Sequence, residues 1–420
     1  MIFLYDIILS IVFLPAVILL LIFNRGRIRK NSFYRWHERF GFWNFAKIKR
    51  DGRPLLWFHC ASLGEVKAIE PLVRKLDKYS ILITVMTFSG HRYAEENKMS
   101  SMVFYLPVDF SFIAGKVVKR VNPDVLILVE TELWPGLLHA AHKNNIKIIS
   151  INGRLSVYSY PYYRLLKPIW ERTLRKLEIA SVRTNEDADR FIGLGCPIER
   201  IKVTGNIKYD AFFHMPEITK QTLGFKESDI VWVAGSTREG EEALLAGVWK
   251  KLNTLNPNLK LVIAPRHIDR TQTIAETLSN SGIEYHLWTE NNGTENSAGC
   301  IILDVFGELN KYYAVCDFAF VGGSLVNNGG QNPIEPAALG KPVIFGVYMQ
   351  NFAEEEHILE YFEGAVKVGG VEELEQAVGR LISDKDYRLR TGNNARRAVE
   401  NQKGAVDKTI EIIRKVAIKN

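Results

Sequence analysis

FAFVGGSLVNNGGQNPIEPAALGKPVIFG, residues 318–346, decides how this chain is read. It opens as an apolar run ending at Gly322-Gly323 and continues as a polar, glycine-rich loop. Asn332 suits a helix cap, Pro333 the first helical position, and Glu335 can reach back to the cap. Gly340 and Pro342 stop that helix, and Val343-Ile344-Phe345 reads as the next buried strand. A strand, a glycine loop and a helix start together let backbone approach an anion or a sugar closely. The same pattern also suits a tight strand-to-helix turn that holds no ligand.

Working outward, the chain repeats this alternation twice. PLLWFHCAS, ILITVMTFS, SMVFYLP, PDVLILVE, IKIISI, IASVRT and IKVTG are short β-rich runs separated by helix-length segments. VWVAGS, LKLVIAP, CIILD, DFAFVGG and PVIFG form a second series, with Ser236 and Glu239 at capping-box spacing before its first helix. Strands alternating with helices require crossover connections, hence parallel sheets covered on both faces. The expectation is an α/β chain with two Rossmann-like, doubly wound domains. Their boundaries are placed at 51–212 and 213–388, and residues 389–420 are read as a basic terminal helix.

The 420 residues are 47% hydrophobic and 24% charged, with a formal charge of +7. This is globular material, and its modest basic excess suits anionic small molecules or an acidic membrane surface. Without a concentrated basic stripe or a basic-aromatic sheet motif, no nucleic-acid partner is expected. Cys60, Cys196, Cys300 and Cys316 are scattered without metal-ligand spacing, so buried thiols are expected and no metal site. Residues 1–24 are almost continuously apolar apart from Asp6 and Pro15, and RGRIRK follows. Such a run can just span a hydrocarbon core, and the basic cluster after it predicts that the remaining chain stays cytoplasmic. Asp6 makes an interfacial anchor the rival reading. Residues 25–50 include FYRWHERFGFW, which fits either a folded collar or a headgroup-facing surface.

In doubly wound sheets, ligands gather beyond the carboxyl ends of the strands. The first series places there Ser62, Gly64 and Glu65, then Glu130-Thr131-Glu132, Asn152-Gly153-Arg154 and Gly205-Asn206-Ile207-Lys208. The second places Gly235-Ser236-Thr237, Pro265-Arg266-His267, Phe306-Gly307-Glu308 and the 322–335 loop. No strand is followed by GxGxxG with a suitably spaced acid, and Walker A is absent, which argues against dehydrogenases and P-loop enzymes.

HCASLGEVKA, VETELWPGLL, SINGRLS, VTGNIKYD, AGSTREGEE, APRH, FGELNKYYAVCD and the 318–346 stretch, in this order, resemble one family. It is the bacterial 3-deoxy-D-manno-octulosonic acid (Kdo) transferase family of lipopolysaccharide assembly. The resemblance runs over nearly the whole chain; Cys60-Ala61, Leu63 and Asn327-Asn328 depart from its pattern without removing a charge. It implies a GT-B glycosyltransferase whose two Rossmann-like domains face a cleft, with a terminal helix crossing back and an amino-terminal anchor helix. It further implies inverting, metal-independent transfer from CMP-Kdo to a lipid A precursor (lipid IVA) at the cytoplasmic face of the inner membrane, with no cofactor. Another GT-B nucleotide-sugar enzyme using a UDP-sugar, transferase or epimerase, and a catalytically idle membrane-bound scaffold are the competing readings.

By the same resemblance Glu65 is the general base, and Glu130 and Lys208 assist the transition state. A lysine beside a departing phosphate has a clear physical purpose, whereas a carboxylate there must orient a cation or carry a proton. Pro265 and Arg266, Phe306, Gly307 and Glu308, and Asn332, Pro333, Ile334 and Glu335 match the CMP-contacting segments. Arg266 would meet the phosphate with its planar fork, and Glu335 the ribose hydroxyls. Glu65 and Glu335 each have a plainer reading as helix-capping carboxylates. His267 and His357 read as ordinary polar residues.

Overall fold

The computed structural model describes residues 2–11, 34–211, 218–291 and 299–418. Two compact units divide the chain: residues 1–211 with 403–420, and residues 212–402.

Among the described residues of the first unit, seven parallel strands form one sheet. They are β1 Leu55–Cys60, β2 Ser80–Val85, β3 Met102–Tyr105, β4 Val125–Val129, β5 Lys147–Gly153, β6 Ile179–Val182 and β7 Ile201–Val203. Their order, β3-β2-β1-β4-β5-β6-β7, reverses at the β1–β4 pair. β1, β2, β3 and β4 are buried at every position, which is why they read as continuous apolar runs and not as alternating ones. One face packs Trp57, Leu126 and Leu138; the other packs Phe58, Ile69 and Ile127 with Ile410 and Ile413 of the terminal helix.

That terminal helix is Ala405–Ile418. Asp210 starts it, accepting the amides of Gly404 (2.9 Å) and Val406 (2.7 Å). The segment that returns to the first unit therefore begins at Lys403 and not at 389. Residue 389 falls inside the helix Lys385–Glu400, which Asp384 caps through the Tyr387 amide. Gly392 of that helix lies so close to Gly340 that a Cβ would come within 2.2 Å of the Gly340 carbonyl oxygen, which keeps the helix in the second unit.

The second unit has its own parallel sheet, ordered β10-β11-β9-β8-β12-β13-β14 among the described residues. The strands are β8 Ile230–Thr237, β9 Leu259–Pro265, β10 Tyr285–Leu287, β11 Cys300–Ile302, β12 Phe318–Val321, β13 Val343–Phe345 and β14 Ala365–Lys367. The order reverses at β8, which lies between β9 and β12. The expected capping box at Ser236 and Glu239 does not form: β8 runs on to Thr237, and the helix starts at Glu241 after a left-handed Gly240.

The anchor expected over 1–24 lies mostly outside the described residues. Residues 2–11 are helical, and among the described residues no helix is long and apolar enough to cross a membrane. Asp6 has a local purpose: its carboxylate accepts the Ser111 amide at 2.9 Å and the Ser111 hydroxyl, while Tyr5 donates to Asp109 at 2.8 Å. From residue 34 onward the aromatic segment is largely a collar, with Trp43 buried and stacked on Phe104 at 4.6 Å and Glu38 buried beneath it. Phe42 stays 62% exposed. All four cysteines are buried free thiols.

Candidate active site

In the first unit, the expected catalytic residues gather where the strand order reverses. β1 ends at Cys60, and Ser62 caps the helix Leu63–Arg74 by accepting the Glu65 amide at 3.3 Å. Glu65 answers: one carboxylate oxygen takes the Ala61 amide (2.7 Å) and the other the Ser62 hydroxyl (2.9 Å). This capping arrangement fixes the side chain, which is only 6% exposed. Burial pushes the Glu65 carboxyl up to about 7, helped by the negative charges of Glu130 and then Glu132 and opposed by those two hydrogen bonds. A carboxylate accepting two hydrogen bonds has lone pairs to spare, so capping and proton abstraction are compatible. A base with a pKa near 7 is well matched to its task at neutral pH.

Glu130 follows β4 directly, in a left-handed conformation (φ 60°) that turns its side chain out of the strand pattern. Its Oε1 receives Lys208 Nζ at 2.7 Å and Arg183 Nη2 at 2.6 Å. Burial alone would raise its carboxyl, but Arg183 and Lys208 outweigh it and hold the group below the usual carboxylate range. The geometry sets Glu130 against two cations, Lys208 and Arg183. Lys208 sits on the short turn Ile207–Ala211, whose first amide bonds to the Oδ1 of buried Asn152 at 3.1 Å. Asn152 is itself left-handed (φ 56°), and Arg183 donates to its carbonyl at 3.3 Å. Since Asp210 lies two residues beyond Lys208, the turn is held from both sides.

Arg183 was not singled out among the strand-end residues. A lone arginine after IASV gives no sign that it turns inward to 3% exposure and pairs with Glu130. Glu132 accepts the Trp134 indole at 2.9 Å and stands 3.8 Å from Nε2 of fully buried His59.

In the second unit, the expected nucleotide-contacting segments all lie beyond strand ends of one sheet. Pro265 closes β9, pairing with Thr237 of β8, and exposed Arg266 follows with its amide on the Thr237 carbonyl (3.1 Å). Phe306 is 78% exposed, Gly307 takes φ 95°, and Glu308 pairs with Lys311 just before the helix Leu309–Val315. Asn332 accepts the Ile334 amide at 3.1 Å and donates to Glu335 at 3.3 Å, and the helix Ile334–Ala338 begins one residue later than expected because Pro333 stands outside it. Glu335 thus meets the cap through its side chain, and its charge also lies against buried Tyr313. The ring of Tyr313 packs directly on Gly235, where a Cβ would fall within 1.8 Å of its hydroxyl.

Two residues outside these segments organise the glycine loop. Glu241 accepts the amides of Gly323 (2.7 Å), Ser324 (3.0 Å) and Leu325 (3.0 Å), and Arg238 lies across Gly323. His267, expected to be incidental, accepts from Arg238 Nη1 at 2.9 Å. Among the described residues no group of three or more His, Cys, Asp or Glu side chains is arranged to hold a metal ion.

Residues 34–211 match the family described as 3-Deoxy-D-manno-octulosonic-acid transferase (kdotransferase). A 3-deoxy-D-manno-octulosonic acid transferase of Haemophilus influenzae is 33% identical over 90% of this chain and 91% of its own length. The chain belongs to the Kdo transferase family. Its namesake in Chlamydia muridarum is 29% identical over 98% of this chain and 96% of its own. In fold, the chain is similar to UDP-GlcNAc 2-epimerase from Neisseria meningitidis, with a TM-score of 0.60, 15% identity, and coverage of 88% of this chain and all of that one. Two parallel-sheet α/β units are common to both. As a Kdo transferase the chain is an enzyme, and the cluster around Glu65, Glu130 and Lys208 belongs to the residues matched to the family.

Proposed function

We propose that this Kdo transferase moves Kdo from CMP-Kdo to a hydroxyl of a lipid A precursor, in lipopolysaccharide biosynthesis, by a metal-independent and inverting displacement. The observation that carries the mechanism is the contrast between two carboxylates of the first unit: buried Glu65 meets only the Ala61 amide and the Ser62 hydroxyl, which leaves its carboxyl raised, whereas Glu130 is paired with Arg183 and Lys208, which hold its carboxyl low. Pairs of carboxylates pushed apart by their surroundings mark acid–base assignments. Glu65 takes the proton of the attacking hydroxyl. Lys208, aimed by Glu130, neutralises charge on the leaving phosphate. An ammonium has three donors, and Glu130 takes one of them. Arg266, the 306–308 turn and Asn332 to Glu335 bind the CMP portion, with no cofactor.

The lipid acceptor places the enzyme at the cytoplasmic face of the inner membrane. The apolar residues 1–24 and the basic residues after them support this reading. So do Phe3, Leu4, Ile7, Ile8 and Ile11, all exposed on a helix whose other side is tied to Ser111 and Asp109. A helix held by Asp6 against the protein favours an anchor lying in the interface over one that spans.

Nucleotide selectivity tests the donor. CMP should raise the melting temperature of the purified protein, and UMP or UDP should not. Protection by UDP in place of CMP would move the chain to a UDP-sugar enzyme and defeat the proposal.

A further inference from the structure

In an open α/β sheet the ligand lies beyond the strand ends where the strand order reverses. In the second unit that point is β8 with its neighbour β12. Loop amides at such a point ordinarily serve an anion. Here they are already engaged: the Glu241 carboxylate accepts the amides of Gly323, Ser324 and Leu325, and that of Arg238 at 2.9 Å. An anion arriving beside these amides finds a carboxylate behind them, so a cation is the group suited to receive it there.

Arg238 is that cation. Its stem crosses Gly323, where a Cβ would meet Arg238 Cγ at 3.5 Å, Asn328 Cβ at 3.6 Å and Gln331 Nε2 at 3.6 Å. Gly323 takes φ 71°, so it is the left-handed backbone, and not crowding, that favours glycine there. His267 holds one edge of the guanidinium at 2.9 Å, and the buried Nε has no hydrogen-bond partner. Arg238 and Arg266 leave adjacent strands one residue past the paired Thr237 and Pro265, so the two arginines start from neighbouring positions at the carboxyl end of the sheet.

The donor proposed above carries two anionic groups, the phosphodiester and the C1 carboxylate of the acid sugar. Resting on that reading of the donor, we propose that Arg238 receives the sugar carboxylate, with Asn328 and Gln331 on the sugar hydroxyls, while Arg266 is left to the phosphate. A planar fork matches a carboxylate bidentately. Two amide side chains beside it offer both donors and acceptors, which suits the hydroxyls of a polyhydroxylated ring. A site that leaves buried polar groups unpaired rejects a ligand lacking the matching group, so a neutral hexose would be excluded here.

The test uses the full chain with Arg238→Gln and Arg238→Lys, comparing the Kd for CMP with the KM for CMP-Kdo. CMP keeps the phosphate and lacks the sugar carboxylate. For Arg238→Gln the KM for CMP-Kdo should rise about 10- to 100-fold, the loss of a charge-assisted hydrogen bond, with CMP affinity within about twofold of wild type. Arg238→Lys should recover part of the loss. Equal weakening of CMP and CMP-Kdo would assign Arg238 to the nucleotide and overturn the inference, as would an unchanged KM. If Arg238→Gln fails to fold, Asn328→Ala at the exposed loop should raise the same KM with CMP affinity unchanged, and no change there overturns the inference. Wild-type protein that neither binds CMP nor consumes CMP-Kdo would instead overturn the proposed function.

Discussion

Lys208 Nζ lies 2.7 Å from Glu130 Oε1, and Arg183 reaches the same oxygen from the buried side. One carboxylate therefore answers two cations, and the cluster keeps a net positive charge on its solvent side. Removing either partner has a different consequence. Lys208→Met should cut kcat about 100- to 1,000-fold, as expected for a lost transition-state donor, with little change in melting temperature. Glu130→Gln should lose activity and stability together, because it strands the buried Arg183 guanidinium, a cost of about 3–5 kcal/mol. Steady-state kinetics and thermal melting on the two variants separate these outcomes, and equal melting temperatures would contradict the account of Arg183.

Glu65→Gln should abolish the general base and lower the transfer rate roughly 100- to 10,000-fold, while CMP binding persists. In the wild type, the rate should climb as pH rises through about 7, where Glu65 ionises. A pH–rate profile that is flat between 6 and 8 would remove Glu65 from this role.

The same raised pKa has a stability consequence of definite sign. A group that holds its proton more tightly when folded stabilises the fold at low pH, and that contribution is lost as pH rises through the folded value near 7. Glu65→Gln is free of this loss. Its melting temperature relative to wild type should therefore be higher at pH 8 than at pH 5.

The fold and half of the site were legible because they rest on local pattern. Fully buried strands such as β1 and β4 read as continuous apolar runs, and the polar residues just past them include Glu65 and Glu130, while Lys208 follows the more exposed β7. β10 and β14 were not legible: each has three residues, none fully buried, and closes an edge of its sheet. The expected capping box at Ser236 and Glu239 missed because β8 continues one residue past VWVAGS, to Thr237, and the carboxylate of Glu241 is turned to a loop 82 residues away. Arg183, Arg238 and Glu241 act through contacts distant in sequence, and nothing in their neighbours announces those contacts.

Glu241→Ala should therefore damage the second unit in two ways. Three loop amides lose their acceptor, at about 1–3 kcal/mol for each that stays buried and unpaired. The melting temperature should fall, and CMP affinity should fall with it as the 322–335 loop loosens. A variant with wild-type melting and wild-type CMP binding would show that the loop does not depend on Glu241.

Asp6→Ala removes the acceptor for the first amide of the helix Ser111–Val121, a cap supplied from 105 residues away. The expected cost is that of a lost cap, about 1 kcal/mol, which for a unit the size of the first one lowers its melting by roughly 2–4 °C. Differential scanning calorimetry would detect it, and an unchanged first-unit transition would detach the 2–11 helix from the stability of the fold.

The most direct measurement is the mass of the product after the purified enzyme is incubated with CMP-Kdo and a tetraacylated lipid A precursor. The account predicts an acceptor heavier by whole Kdo units, with CMP released and no added metal required. An acceptor of unchanged mass, from protein that still binds CMP, would contradict the proposed transfer.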